Sequence, residues 1–187
     1  MSSRVRLLAT DIEGLSVLER LPVSDRRGEL ERLYCRESLA PAFRDAAIAQ
    51  ANRTLTRRAA TIRGLHYQRP PHAEDKLVSC LRGEVFDVAV DLRTGSPTFL
   101  RWHGEVLSPA NRRSLAIPRG FAHGFQALTD DCELLYLHTA AFSPGSEAGI
   151  DALDPAIGIR WPLPMSDRSE RDRSLPASGV GFAGVPT

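Results

Sequence analysis

The chain has 187 residues, 42% hydrophobic and 25% charged, a composition that suits one globular domain with a single sizeable core. The charges of its 24 basic and 23 acidic side chains almost cancel. A net charge of +1 argues against binding to nucleic acid or to an anionic membrane through the overall charge of the protein. No apolar run approaches the roughly 20 residues of a transmembrane helix, and acidic residues interrupt the N-terminal segment too early for a signal-peptide core. We therefore expect a cytoplasmic protein.

The predicted elements begin with a helix and continue as short strands. Residues 36–49 are the best helix candidate, with Pro41 near the helix start. From about residue 60 to 162, β-like runs alternate with turn residues, at 76–83, 84–99, 101–120 and 133–146. Many short strands with regular turn signals are typical of a sandwich or barrel rather than a βαβ fold. The Ser-, Gly- and Pro-rich segment after Asp172 predicts a tail with little order.

The alternation of residues along two of these strands predicts a cavity. In the run 84–92, apolar residues alternate with a second face that carries Asp87 and Asp91. In the run 132–138, Tyr136 and His138 share one face. A barrel interior that collects such side chains favours a binding cavity, and the alternative is a polar sheet surface that faces solvent.

The densest group of reactive side chains spans residues 63–76. It contains Arg63, His66, Gln68 and the chain's only lysine, Lys76. An imidazole with a pKa of about 6.5 can take up a proton reversibly at neutral pH, and an ammonium group can stabilise negative charge on a nearby oxygen. Together they favour proton abstraction next to a carbonyl group. The alternative is a structural histidine beside a lysine that is there by chance.

Another histidine lies in a glycine-rich segment, and no metal site is predicted. His123 stands between Gly120 and Gly124, which indicates a close approach of the backbone to another group; a turn histidine with satisfied hydrogen bonds is the alternative. The histidines form no HxH pair and have no glutamate at the spacing of small metal-binding barrels, so we expect a metal-free protein. Three cysteines without a CxxC pair indicate reduced thiols: Cys35, Cys80 and Cys132.

The sequence resembles the dTDP-4-dehydrorhamnose 3,5-epimerase family over residues 22–173. The resemblance rests on motifs in the same order, RGLHYQ (63–68), KLV (76–78), GEVFDVAVDLR (83–93), SPTF (96–99), IPRGFAHGF (117–125) and DPAIGIRWP (154–162). It implies an all-β, cupin-like jelly-roll barrel with a few short helices over residues 1–173, a C-terminal tail at 174–187, and no cofactor. It also implies a homodimer that exchanges N-terminal strands, and a nucleotide-linked 4-keto-6-deoxyhexose that is epimerised at C3 and C5.

The resemblance assigns roles to individual residues. His66 matches the general base, Asp172 its orienting partner, Lys76 the group that stabilises the enolate, and Tyr136 the proton donor on the opposite face of the sugar ring. Substrate contacts are implied at Arg27, Gln50, Asn52, Arg63, His123, Glu147 and Arg171. The resemblance also allows Arg27 to come from the partner subunit.

Two departures from the family pattern leave alternatives open. Phe142 stands where the family usually carries a second tyrosine, and His138 stands where small or neutral residues are common. The first alternative is therefore a mono-epimerase that inverts C3 only or C5 only. Two others are a 3,4-ketoisomerase and a cupin that binds a nucleotide sugar without turnover.

Overall fold

The computed structural model describes residues 4–43, 46–179 and 181–186, and within these ranges it contains thirteen strands and two short helices. The first seven strands are β1 (Val5–Ala9), β2 (Ser16–Arg20), β3 (Val23–Asp25), β4 (Gly28–Leu30), β5 (Gln50–Thr56), β6 (Ile62–Gln68) and β7 (Lys76–Arg82). The remaining strands are β8 (Val85–Asp91), β9 (Trp102–Leu107), β10 (Arg113–Ile117), β11 (Phe121–Ala127), β12 (Cys132–His138) and β13 (Glu147–Gly149). The helices are α1 (Arg36–Phe43) and α2 (Glu170–Arg173).

The strands form two sheets and a separate hairpin. The larger sheet has the order β1-β2-β10-β7-β12-β5, the smaller one has the order β13-β6-β11-β8-β9, and β3 pairs only with β4 in the described part of the chain. Strands that are distant in sequence lie side by side, with antiparallel pairing of β10 to both β2 and β7 and of β11 to both β6 and β8. The architecture is a jelly-roll barrel, and the all-β prediction is confirmed.

Strand β8 shows how the sequence pattern builds this barrel. Its residues Val85 and Ala89 belong to the core between the two sheets, whereas Val88 and Val90 belong to a second core on the outer side of the smaller sheet. The predicted alternation is therefore confirmed. Both faces are covered, so the strand is buried almost throughout. Asp87 lies on the face that points between the sheets, because side chains alternate with a period of two.

The helix is shorter than predicted. Helix α1 ends at Phe43; residues 44–45 of the predicted helix lie outside the described residues, and 46–49 have no helical structure. The amide of Ala49 donates to the carbonyl oxygen of His138 at 2.8 Å, so the chain is already joining the larger sheet at this point. Leu39 and Phe43 pack α1 against the outer face of that sheet. In 4–43, 46–179 and 181–186 no helix is long and apolar enough to cross a membrane.

The C-terminal segment is more ordered than its composition predicts. The amide of Val185 donates to the Leu92 carbonyl at 2.6 Å, and Val185 forms a parallel bridge with Arg93. Its side chain is buried in the outer core of the smaller sheet, where the Phe182 ring also packs. These apolar side chains cover the outer face of β8, which would otherwise expose valine and leucine to water. The low hydrophobicity of the whole segment concealed the few residues that anchor it.

Candidate active site

A cavity of about 400 Å³ opens between the two sheets. Eight of the positions predicted from the sequence line it, contributed by both sheets: Gln50, Asn52, Arg63, His66, Lys76, His123, Tyr136 and Glu147. Tyr136 and His138 of the 132–138 run therefore face this cavity and not an open sheet surface. Residues separated by up to about a hundred positions meet here because β6 and β11 of one sheet face β7 and β12 of the other.

His66 on β6 forms a hydrogen-bonded pair with Asp172 of α2. The distance from His66 Nε2 to Asp172 Oδ1 is 2.7 Å, and Asp172 Oδ2 accepts a bond from the Gly64 amide at 3.2 Å. Ser169 caps α2 and accepts a bond from the Asp172 amide, which holds the carboxylate at the start of this short helix. Burial acts to raise the pKa of Asp172, but the hydrogen bonds from His66 and Gly64 outweigh it and keep the pKa below its ordinary value. The carboxylate is therefore ionised at neutral pH.

The two glycine-containing motifs meet beside this pair. His66 and His123 are direct partners in the pairing of β6 and β11, and the pairing is irregular just beyond them. Gly64 has a φ of +110°, and a Cβ atom there would lie 2.7 Å from the Gly124 Cα. A Cβ atom on Gly124 would lie 2.6 Å from the Arg63 carbonyl oxygen. Only glycine fits at both positions, and the close contact of the two backbones brings both histidines to the same cavity wall.

Lys76 is the first residue of β7, and its ammonium group lies inside the cavity. Its side chain is 9% exposed, and Nζ lies 3.1 Å from Glu74 Oε1 and 3.4 Å from the His66 carbonyl oxygen. An ammonium group has three N–H donors. These two contacts leave one donor for a molecule in the cavity.

Tyr136 reaches the cavity from the opposite sheet to His66. Its ring meets the His123 ring edge to face, with 5.8 Å between the centroids, and stacks on the His138 ring at 6.0 Å. Burial, with a smaller effect of the Asp87 carboxylate, raises the pKa of the Tyr136 phenol well above its ordinary value. The phenol is therefore protonated at neutral pH and can act as a proton donor.

His123 has its own carboxylate partner. Its Nε2 lies 2.8 Å from Asp87 Oδ1, and both side chains are almost fully buried. Burial raises the pKa of Asp87, although the neighbouring His123 opposes this shift. Asp91, on the same face of β8, lies outside the cavity and binds Arg93, Ser96 and Thr98 in the following turn.

The comparisons with known proteins agree with this geometry. The sequence profile of the dTDP-4-dehydrorhamnose 3,5-epimerase family matches residues 9–178. The chain belongs to this family. It is similar to the dTDP-4-dehydrorhamnose 3,5-epimerase of Streptomyces griseus, with 41% identity over 88% of this chain and 82% of that protein. It is also similar to the dTDP-4-dehydrorhamnose 3-epimerase of Streptomyces niveus, with 38% identity over 98% of this chain and 89% of that protein.

A solved structure of an epimerase from Legionella pneumophila Philadelphia 1 shares the whole fold. It is described as a dTDP-6-deoxy-D-glucose-3,5-epimerase in complex with dTDP-4-keto-L-rhamnose. The two structures superpose with a TM-score of 0.87 and 37% identity over 92% of each chain. The fold and family implied by the sequence motifs are thus confirmed.

Two arginines that the family resemblance assigned to the substrate do not line the cavity. Arg27 lies on the β3–β4 hairpin, where it pairs with Asp25 at 2.6 Å and is 80% exposed. Arg171 is half-exposed next to the cavity rim and forms an ion pair with Glu147, which does line the cavity. Asp172 lies behind His66, so it reaches the cavity only through the imidazole ring.

The roles implied by the family resemblance did not include several side chains that face the cavity, namely Glu74, Gln68 and Thr54. Phe142, already identified as a departure from the family pattern, lines the cavity too. Glu74 bonds His138 Nδ1 at 3.2 Å, although 64 residues separate the two in sequence. The only sequence signal for Glu74 was its position two residues before the lone lysine. In the described part of the chain, no three His, Cys, Asp or Glu side chains are grouped so that they could hold a metal ion.

Proposed function

We propose that this family member epimerises a dTDP-linked 4-keto-6-deoxyhexose at C3 and C5, converting the 4-dehydro-6-deoxyglucose form to the 4-dehydrorhamnose form. One observation carries the proposal: His66 and Tyr136 extend from facing sheets into one cavity. The names of the relatives and the ligand of the Legionella structure support the choice of substrate. The reaction needs an acid and a base on opposite sides of the sugar ring, because a proton returned from the side of its removal would restore the starting configuration.

In the first step, His66 acts as the base. Its Nε2 is bonded to Asp172, which leaves Nδ1 to take the proton from the carbon next to the C4 ketone. The electron pair of the broken C–H bond moves to the C4 oxygen and forms an enolate. The ionised Asp172 holds the imidazole in one tautomer and stabilises the imidazolium that results. The third N–H of Lys76 donates to the enolate oxygen.

In the second step, Tyr136 donates a proton to the same carbon from the opposite face. The raised pKa of its phenol keeps this proton available until the enolate accepts it. His66 then releases its proton to solvent and the Tyr136 phenolate takes one up, which returns both groups to their starting states. Both C3 and C5 are next to the C4 ketone, so the same pair of groups can serve both carbons. We propose that Arg63, which lines the cavity, and Arg171, at its rim, bind the diphosphate of the substrate through charge-assisted hydrogen bonds.

Incubation of the protein with dTDP-4-keto-6-deoxyglucose in deuterated water tests the proposal. We expect one deuteron at C3 and one at C5, with no exchange by His66→Asn. Exchange that persists at the wild-type rate in His66→Asn would refute the assignment of the base. A 3-keto product in the carbon NMR spectrum would indicate a 3,4-ketoisomerase, and binding without exchange would indicate a non-catalytic cupin.

A mono-epimerase is the second candidate, favoured by Phe142. This residue lines the cavity, is 53% exposed and carries no hydroxyl group. The Streptomyces niveus relative is named as a 3-epimerase. Deuterium at a single carbon would support this candidate. Phe142→Tyr restores the hydroxyl group. If its absence limits the reaction to one carbon, this variant should gain exchange at the second.

Replacement of Tyr136 by phenylalanine separates the two steps. Tyr136→Phe should slow net epimerisation more strongly than it slows the loss of substrate hydrogen to solvent, because His66 still removes the proton. Equal slowing of both would mean that Tyr136 is not the donor.

We further propose a homodimer in which the β3–β4 hairpin supplies Arg27 to the partner's cavity. The hairpin is exposed, and it carries apolar side chains at Val23 (51% exposed) and Leu30 (65% exposed) that a second subunit would cover. Mixing the Arg27→Ala and His66→Asn proteins tests this, because each hybrid dimer then contains one intact cavity. Restored activity supports the exchange, and an inactive mixture contradicts it.

A cytoplasmic location also remains a proposal, supported by the three free thiols.

A further inference from the structure

The carboxylate of Glu74 connects three side chains of the cavity wall. Oε1 lies 3.1 Å from Lys76 Nζ, and Oε2 lies 3.2 Å from His138 Nδ1 and 3.1 Å from Gln68 Nε2. The side chains of Glu74 and His138 are 7% and 12% exposed. The proposed proton transfers account for Lys76 but give no role to His138.

The charge of Glu74 determines which nitrogen of His138 carries a proton. Burial acts to raise the pKa of Glu74, but the hydrogen bond from His138 and the charge of Lys76 lower it below its ordinary value. An ionised carboxylate can only accept hydrogen bonds, so His138 Nδ1 carries the proton. With the proton on Nδ1, the neutral form of the ring has a lone pair on Nε2. The nearest side-chain partner of Nε2 is the Asn52 amide at 3.5 Å, which is a weak contact.

The neighbours of His138 indicate which part of a substrate it would meet. In the pairing of β12 and β7, His138 lies directly opposite Lys76. Its ring is nearly parallel to the Tyr136 ring, with an angle of 13° between the planes. Both neighbours are proposed to act on the sugar. A hexose bound between Tyr136 and Lys76 would therefore lie beside the imidazole.

We propose that His138 accepts a hydrogen bond through Nε2 from a ring hydroxyl group of the hexose, at C2 or C3, and so determines which sugars the cavity accepts. Glu74 is the positioning residue that holds this ring in place together with Lys76. The inference rests on the proposed function, since it places the hexose between Tyr136 and Lys76. A cavity built to bond a hydroxyl group discriminates against sugars that lack it.

Binding of unreactive sugars by calorimetry tests the inference. The probes are dTDP-6-deoxyglucose and its 2-deoxy and 3-deoxy counterparts, which have no 4-keto group and cannot be epimerised. His138→Phe preserves an aromatic ring against Tyr136 and removes both nitrogens. We expect it to weaken binding of dTDP-6-deoxyglucose by about tenfold, and to leave unchanged the affinity for the one deoxy sugar that lacks the bonded hydroxyl group. Equal loss for all three sugars, or no loss for any, would overturn the inference.

A matched control uses another histidine–glutamate pair. His103 lies 3.5 Å from Glu105 on β9 and is not among the residues that line the cavity. His103→Phe should therefore leave all three affinities unchanged. Glu74→Gln should produce the same selectivity change as His138→Phe, and the double variant should lose no more than His138→Phe alone, because the two residues act as a unit. Unaltered selectivity in Glu74→Gln would remove Glu74 from the inference.

These outcomes separate the inference from the proposed function. A wild-type protein that binds dTDP-6-deoxyglucose with His138-dependent selectivity, but does not turn over the 4-keto sugar, would refute the epimerase and retain the inference. If the wild-type protein turns over the 4-keto sugar but His138→Phe weakens the binding of all three probes equally, the epimerase is supported and the inference is refuted. If thermal unfolding shows that His138→Phe is not folded, the affinities for the three probes are compared between Glu74→Gln and the wild type instead.

Discussion

The carboxylate of Asp91 makes a concentrated set of hydrogen bonds that can be tested by its effect on stability. It accepts bonds from the Arg93 guanidinium at 2.7 Å and from the hydroxyl groups of Ser96 and Thr98, both at 2.6 Å. Its side chain is completely buried. Burial acts to raise the pKa of Asp91, but these bonds prevail and lower it from 3.8 to about 2. We predict that Asp91→Asn weakens the fold in a pH-dependent manner.

The size of the effect follows from the pKa difference. A decrease from 3.8 to about 2 corresponds to about 2 kcal/mol of stabilisation by the ionised form. Because the pKa in the folded state lies below that in the unfolded state, this stabilisation is fully present above the unfolded value. It decreases as the pH falls, and it is lost below the folded-state pKa. At pH 3 about half of it remains.

Urea unfolding followed by tryptophan fluorescence measures this contribution. The free energy of unfolding of the wild type should exceed that of Asp91→Asn by about 1 kcal/mol more at pH 7 than at pH 3. Asp87, on the same face of β8, is the matched control. Its pKa is raised by burial, so the difference between wild type and Asp87→Asn should grow as the pH falls. A difference for Asp91→Asn that is the same at both pH values would refute the reasoning.

Three further predictions concern the proposed chemistry. Asp172→Asn should lower kcat by about 10²- to 10⁴-fold with little change in KM, and steady-state kinetics that show an unchanged kcat would contradict the role of the pair with His66. Arg168→Ala should also lower kcat, because Arg168 Nη2 donates to the backbone carbonyl oxygen of Asp172 at 2.6 Å. The control Arg173→Ala removes an exposed arginine of the same turn and should leave kcat unchanged. Equal kcat values for the two variants would exclude this positioning role. Lys76→Arg should reduce kcat, since a planar guanidinium cannot replace a compact ammonium between Glu74 and the substrate, and full activity would disprove the need for lysine.

Local pattern was sufficient to predict strands from about residue 60 onward, but not strands β1–β5, which precede that region. The strict alternation in β8 identified its two faces, because side chains of a strand alternate with a period of two whatever lies next to them. The end of helix α1 could not be predicted in this way. The bond from the Ala49 amide to the His138 carbonyl, formed with a strand about ninety residues later, competes with helix continuation. Likewise, the burial of Val185 could not be predicted, because its side chain packs against the outer apolar face of β8, about a hundred residues earlier in the chain.

The sequence by itself determined which chemical groups this protein possesses: one lysine, a histidine beside a glycine, and alternating strands with carboxylates on one face. The tertiary structure decided which of them act together. Asp87 and Asp91 are equivalent in the pattern of β8, yet one binds His123 at the cavity and the other closes a turn. The same holds for Glu74, which meets His138 only because β7 and β12 are neighbours in the larger sheet. Periodicity is a local property of the chain, whereas a hydrogen bond between distant residues exists only after the sheets have formed.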